Sequence, residues 1–108
     1  MRHDRQNINL DDQGFLLDLD DWTRELAEHI AATEGIELNS AHWEIISLLR
    51  AFYDEFEISP AMRILVKHTQ KKLGDEKGNS HYLLSLFPGS PAKIACKIAG
   101  LPKPTNCL

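Results

Sequence analysis

Apolar residues recur every three to four positions over most of the chain, which is the spacing of amphipathic helices. The clearest run spans about 40–56, where Ile45, Ile46, Leu49, Phe52, Tyr53 and Phe56 form one wide face opposite Glu44, Ser47 and Asp54. Asn39 is the expected N-cap, and Leu38 can pack on Trp43 as a hydrophobic staple. Upstream, Trp22, Leu26 and Ile30 predict a helix over about 21–33, capped by Asp20 or Asp21 and stopped by Gly35. Downstream, Glu57-Ile58-Ser59-Pro60 is a tight connection, with Ser59 as cap and Pro60 in the first turn of a helix over about 60–73. Gly74 ends that helix, and a polar loop follows in which Gly78 permits positive φ. Ser80 then caps a short helix, about 81–87, ended by Pro88. Ser90-Pro91 opens a last helix, about 91–99, for which Gly100 is the stop.

One stretch breaks the helical pattern. Ile8 and Leu10 alternate with polar neighbours, Asp12-Gln13-Gly14 signals a turn, and Phe15 to Leu19 follows. This predicts a small N-terminal β-hairpin, which two strands alone cannot sustain and which must lie on the helices. Beyond Gly100, Pro102 and Pro104 remove backbone donors and favour extended geometry. A semi-rigid arm is expected there, able to carry Cys107 roughly 20 Å past the last helix. The fold class is therefore mainly α: a compact bundle of about five helices with an N-terminal β-hairpin and an extended C-terminal arm. A length of 108 residues suits one domain with a single modest core. Its expected parts are a tail and hairpin (1–19), a helical body (20–99) and a mobile arm (100–108).

Composition narrows the functional classes. The chain is 43% apolar and 26% charged, as ordinary globular proteins are. No apolar run approaches the ~20 residues of a membrane span, and no apolar signal core follows the first residues, so a cytoplasmic protein is expected. The net charge of −4 hides a strong asymmetry. Residues 1–57 hold 14 acids and 4 bases, and residues 58–108 hold 2 acids and 8 bases. The C-terminal half should turn toward acidic partners.

Both cysteines lie in the last 22 residues, together with four of the five prolines. Two thiols near one end are not a secreted disulfide framework and read as chemistry or as chance. On a helical wheel Ile94 and Ile98 share the buried face and Cys96 points almost oppositely, so its thiol is expected to be partly exposed. Lys93 and Lys97 would then assist its ionisation. Cys107 has the ordinary thiol pKa of about 8.5 as its starting point. Lys103 would lower it and the Leu108 carboxylate would raise it, which suits a relay activated by its partners. Arg63, Lys67, Lys71 and Lys72 lie on the helix over 60–73 and make a candidate docking surface for an acidic partner, and Lys71, Lys72 and Lys77 could support a weak, partner-assisted approach to tRNA. Helices 40–56 and 60–73 also have the outline of a DNA-binding helix-turn-helix, but a pI of 5.7 argues against direct DNA binding. The five histidines show no ligand spacing with either cysteine, so no metal and no cofactor is expected.

The run from Ala95 to Leu108, Ala-Cys-Lys-Ile-Ala-Gly-Leu-Pro-Lys-Pro-Thr-Asn-Cys-Leu, resembles the C-terminus of the TusE/DsrC family. Glu76-Lys77-Gly78-Asn79-Ser80, His42-Trp43-Glu44 and Ser59-Pro60-Ala61 extend the resemblance, which runs from about Ile8 to Leu108. It implies a sulfurtransferase in which Cys107 carries sulfur as a persulfide. In the TusE branch the sulfur comes from a TusBCD-like donor complex and passes toward an MnmA-like tRNA thiouridylase for 2-thiouridine synthesis. In the DsrC branch, which serves dissimilatory sulfite reductase, a second cysteine with the spacing of Cys96 joins Cys107 in a disulfide or trisulfide. Gly89-Ser90-Pro91 and Ile94 look more like the TusE branch. The expectation is a TusE-like sulfur carrier, with the DsrC-like dithiol as alternative and the helix-turn-helix regulator third.

Overall fold

A computed structural model describes residues 10–104. Over these residues the chain forms five α-helices: α1 (Arg24–Thr33), α2 (Ser40–Phe56), α3 (Met62–Leu73), α4 (Ser80–Leu86) and α5 (Pro91–Ile98). The shortness of α5 conceals its position. Each of the other four helices packs on it. Its small residues explain how: Ala92, Ala95, Cys96 and Ala99 are all buried, and side chains of that size let neighbouring helices approach from several sides at once. Leu26, Ile30, Ile45, Ile46, Leu49, Leu65, Leu83 and Phe87 close the core around it.

The helix starts follow local hydrogen bonding. Asn39 caps α2 as expected, accepting from the amides of Ala41 and His42, while His42 Nδ1 accepts from the Asn39 amide and completes a capping box. The cap of α1 is Thr23, bonded to the Leu26 amide, because Asp18 to Asp21 are used in a separate 3-10 turn at Leu19–Asp21. Asn79, not Ser80, caps α4 through the Tyr82 amide. At α3 the N-cap position is Ala61, without a side-chain bond, and the Ser59 hydroxyl is used elsewhere. Gly78 does not take positive φ; it is required because a Cβ there would stand 2.2 Å from Gln70 Cα, a close approach of loop to helix.

Two larger expectations are corrected. Among the described residues there is no strand, and the hairpin is reduced to a single antiparallel bridge, Leu10 to Leu16. Asp11 accounts for this: its carboxylate accepts from the Gln13 and Phe15 amides, folding the segment into a tight turn that pins buried Phe15 and Leu16 on the helices. Ile8, the first residue of the expected hairpin, lies outside the described residues. The extended arm does not begin at Gly100 either. Leu101 is 3% exposed, Pro104 is buried, and Ser59 Oγ donates to the Pro102 carbonyl at 2.6 Å, so residues 101–104 lie on the body. Burying Leu101 and Pro104 outweighs the stiffness that two prolines would give a free arm.

Candidate functional site

Cys107 lies outside the described residues, three positions after Pro104. Three residues span at most about 11 Å, so the place where Pro104 meets the body bounds the reach of the thiol. That root is built from the C-terminus of α5. Gly100 takes φ +76°, its amide donates to Lys97 O, and the Leu101 amide donates to Cys96 O. These two bonds form a Schellman motif, with Leu101 as the apolar residue that follows the glycine into the core. The next carbonyls are claimed by side chains from other helices. Trp22 Nε1 donates to Ile98 O at 2.9 Å, and Arg50 Nη1 donates to Ala99 O at 2.5 Å. A Cβ on residue 100 would come within 2.3 Å of Trp22 Cδ1, so glycine is needed for space as well as for φ.

Arg50 is also stacked on Trp22, its Cζ 3.9 Å from the ring centroid. Burial pushes its pKa down and the nearby Asp54 opposes that, while the guanidinium stays cationic at the negative end of the α5 dipole. The root of the tail is thus held at three points: Trp22 from the segment before α1, Arg50 from α2 and Ser59 from the α2–α3 turn. From the sequence, Trp22 belongs to the apolar stripe of a helix, Arg50 has no role and Ser59 is a cap. The available signal was that Arg50 is the only lysine or arginine within α2.

Cys96 is not partly exposed. Its relative accessibility is 0%, because α5 is surrounded rather than lying on one face. Lys97 is also withdrawn from the role expected for it: its ammonium pairs with Glu34 Oε2 at 2.6 Å and lies 5.5 Å from the Phe15 ring centroid, tying α5 to the end of α1. Lys93 is half-buried on α5, and Lys103 is exposed at the root of the tail. Lys77 is occupied as well, bonded to Glu44 at 2.8 Å; that hydrogen bond pushes its pKa up.

The remaining cations do assemble. Arg63, Lys67, Lys71 and Lys72 are all exposed on α3, a helix without any acidic residue. Lys67 and Lys71 edge a shallow cleft of about 230 Å³ with Phe52, Phe56, Ile64 and His68. Phe52 is its floor, packed edge-on against His68 at 4.9 Å and tilted against Phe56 at 4.6 Å. Among the described residues no helix is long and apolar enough to cross a membrane.

A family described as DsrC like protein matches residues 2–108, from before the Asp11 turn to beyond Cys107. The chain belongs to the DsrC-like family. Within it, the sulfurtransferase TusE of Sodalis glossinidius is 53% identical over 108 residues, covering 100% of both chains. The sulfurtransferase TusE of Salmonella paratyphi A is 53% identical over 103 residues, or 95% of this chain and 94% of its own. Among solved structures, Allochromatium vinosum DsrC superposes with a TM-score of 0.85 at 51% identity, covering 94% of this chain and 90% of that one. The oxidized DsrC gamma-subunit of dissimilatory sulfite reductase from Archaeoglobus fulgidus gives 0.79 at 43%, covering 94% and 92%. The DsrC-like fold is therefore shared by proteins named for two branches of sulfur chemistry.

Proposed function

We propose that this chain relays sulfur as a persulfide on Cys107. It is a sulfurtransferase, and the observation that carries this is the full-length match to curated TusE sulfurtransferases at 53% identity. The Cys107 thiolate attacks the outer sulfur of a donor cysteine persulfide. The donor S–S bond breaks, the donor leaves as thiolate, and Cys107 becomes Cys-S-SH without net oxidation or reduction. The same exchange in reverse hands the sulfur to an acceptor thiolate. The donor is a TusBCD-like complex and the acceptor an MnmA-like tRNA thiouridylase, which places the protein in 2-thiouridine synthesis in the cytoplasm. The relay needs no cofactor of its own, and one domain serves it: the helical body fixes where the tail begins, and the tail carries the thiol.

The burial of Cys96 keeps its thiol from exchange with thiols in solution, which supports a relay through Cys107 alone. The test is to incubate wild type, Cys96→Ser and Cys107→Ser with a persulfide donor and measure intact mass with and without reductant. Wild type and Cys96→Ser should gain a reductant-labile sulfur and Cys107→Ser should not. Equal loading of all three, or of none, would remove the proposal. A linked species formed by wild type and lost in Cys96→Ser would replace it with the dithiol cycle.

A further inference from the structure

The cleft between α2 and α3 is absorbed by none of this chemistry. Its α3 wall is a single stripe, Ile64, Lys67, His68 and Lys71, at i, i+3, i+4 and i+7. Apolar surface is left open there: Phe56 is 49% exposed, Ile64 46% and, in the adjoining turn, Ile58 56%. The cations at its edge are not committed at home, since among the described residues the ion pairs are Lys77–Glu44 and Lys97–Glu34. A volume of about 230 Å³ is below the roughly 300–1,000 Å³ of small-molecule pockets, but suits one or two apolar side chains presented by a larger surface.

Position adds a third argument. Phe56 and Ile58 flank the turn that holds the tail, because Ser59 in that turn donates to Pro102 O. A partner seated in the cleft is therefore beside the point from which the Cys107 tail departs. We infer that this cleft docks an amphipathic helix of a relay protein, its apolar side chains over Phe52, Phe56 and Ile64 and its carboxylates on Lys67 and Lys71. Helix-in-groove recognition uses an open apolar trough between two helices, and the charge around it selects an acidic partner. Nucleic acid fits less well: phosphate binding uses the cations but leaves Phe56 and Ile64 exposed. The inference rests on the relay reading for the identity of the partner, while the docking itself is read separately from sulfur loading.

The experiment is calorimetric titration of Cys107→Ser protein, which cannot exchange sulfur through Cys107, with the purified TusBCD-like complex and with the purified thiouridylase. It is repeated on Ile64→Glu and on Lys67→Glu/Lys71→Glu, with Leu84→Glu as a control at an exposed apolar site on α4. These side chains are on the surface, and loading of the corresponding Cys107-containing variants from inorganic polysulfide checks that the body and thiol are intact. The expected result is at least a tenfold rise in Kd for one partner with both cleft variants, no change with Leu84→Glu, and unchanged polysulfide loading. Unchanged affinity for both partners overturns the cleft, as does failure of the Cys107→Ser parent to bind both of them. So does sedimentation showing that the cleft variants instead abolish a self-dimer, or binding of free tRNA weakened by the lysine pair but not by Ile64→Glu. Failure of polysulfide to load Cys107 in otherwise wild-type protein overturns the relay reading instead and leaves the binding result to decide the cleft.

Discussion

Arg50 lies flat over Trp22, 3.9 Å from its ring centroid, and the two side chains donate to successive carbonyls, Ala99 O and Ile98 O. The stack lets each residue orient the other. It joins α2 to the segment before α1 while closing the C-terminus of α5, so the start of the tail is fixed by residues about 50 and 76 positions away in sequence.

Arg50→Ala removes a charged hydrogen bond and a cation–π contact together. A loss of about 2–3 kcal/mol is expected in denaturant unfolding. Trp22→Phe keeps a ring under the guanidinium and should cost less than Trp22→Ala. In both Arg50→Ala and Gly100→Ala the Leu101 amide should exchange hydrogen faster relative to amides at the centre of α2. Protection kept in Arg50→Ala but lost in Gly100→Ala would mean that the Schellman motif alone fixes Leu101.

The two cysteines should separate under alkylation. In native protein iodoacetamide should leave Cys96 unmodified, and Cys96 should react once denaturant unfolds the body, because its accessibility is 0%. Cys96→Ala should cost roughly 1 kcal/mol, the size of a small buried truncation, and leave sulfur loading within about twofold of wild type. Native labelling of Cys96 at the rate of an exposed thiol would contradict the packing of α5.

Glu34→Gln should be more harmful than its surface position suggests. Its partner Lys97 is largely buried, and removing the carboxylate charge leaves that ammonium poorly compensated. About 2 kcal/mol is expected, or roughly 5–10 °C in Tm. Lys97→Met should be milder, since the stem still covers Phe15 and no buried charge remains. A thermal melt in which Lys97→Met is the worse variant would contradict this.

His68 should report pH at the cleft. Burial holds its pKa below the usual 6.5, Lys72 and Lys71 push in the same direction, and Glu55 opposes them. Below the unfolded-state value the unfolded chain takes up a proton that the folded chain resists, so stability falls as pH drops through about 6.5 toward the folded pKa. His68→Gln should lose less Tm between pH 7.5 and 5.5 than wild type does. The His68 ring signal in NMR should titrate below 6.5, and a midpoint above 6.5 would reverse the argument.

Helices that hold one face to the core were the legible part of this chain. The span 40–56 was read to the residue because Asn39 caps it and its apolar stripe is unbroken. The start of α1 was misplaced because four acids between Asp12 and Asp21 compete as caps, and Thr23 won only once Leu19–Asp21 formed its own turn. Helix α5 misled for a different reason. A wheel assigns one buried face, and it cannot show that a helix is enclosed; the run of small residues at 92, 95, 96 and 99 was the signal. The tail was read from its prolines, whereas Leu101 after a helix-ending glycine already marks a residue returning to the core. The Ser59–Pro102 and Trp22–Ile98 contacts join positions 43 and 76 residues apart, which local pattern does not encode.

Because the helix that touches all four others is the fifth in chain order, the body cannot close as each earlier helix is synthesised. A chain interrupted before Pro91 lacks the piece around which α1 to α4 assemble and should remain an open, protease-sensitive coil. Folding is then a single late event of long-range contacts, slower than for bundles that zip up between neighbours. The bond between Cys96 O and the Leu101 amide couples that event to the residues that follow α5: the step that completes the core also fixes where Leu101 enters it. Chains interrupted before Pro91 should therefore lack the closed body altogether, and the base on which the last residues stand forms only with the whole core.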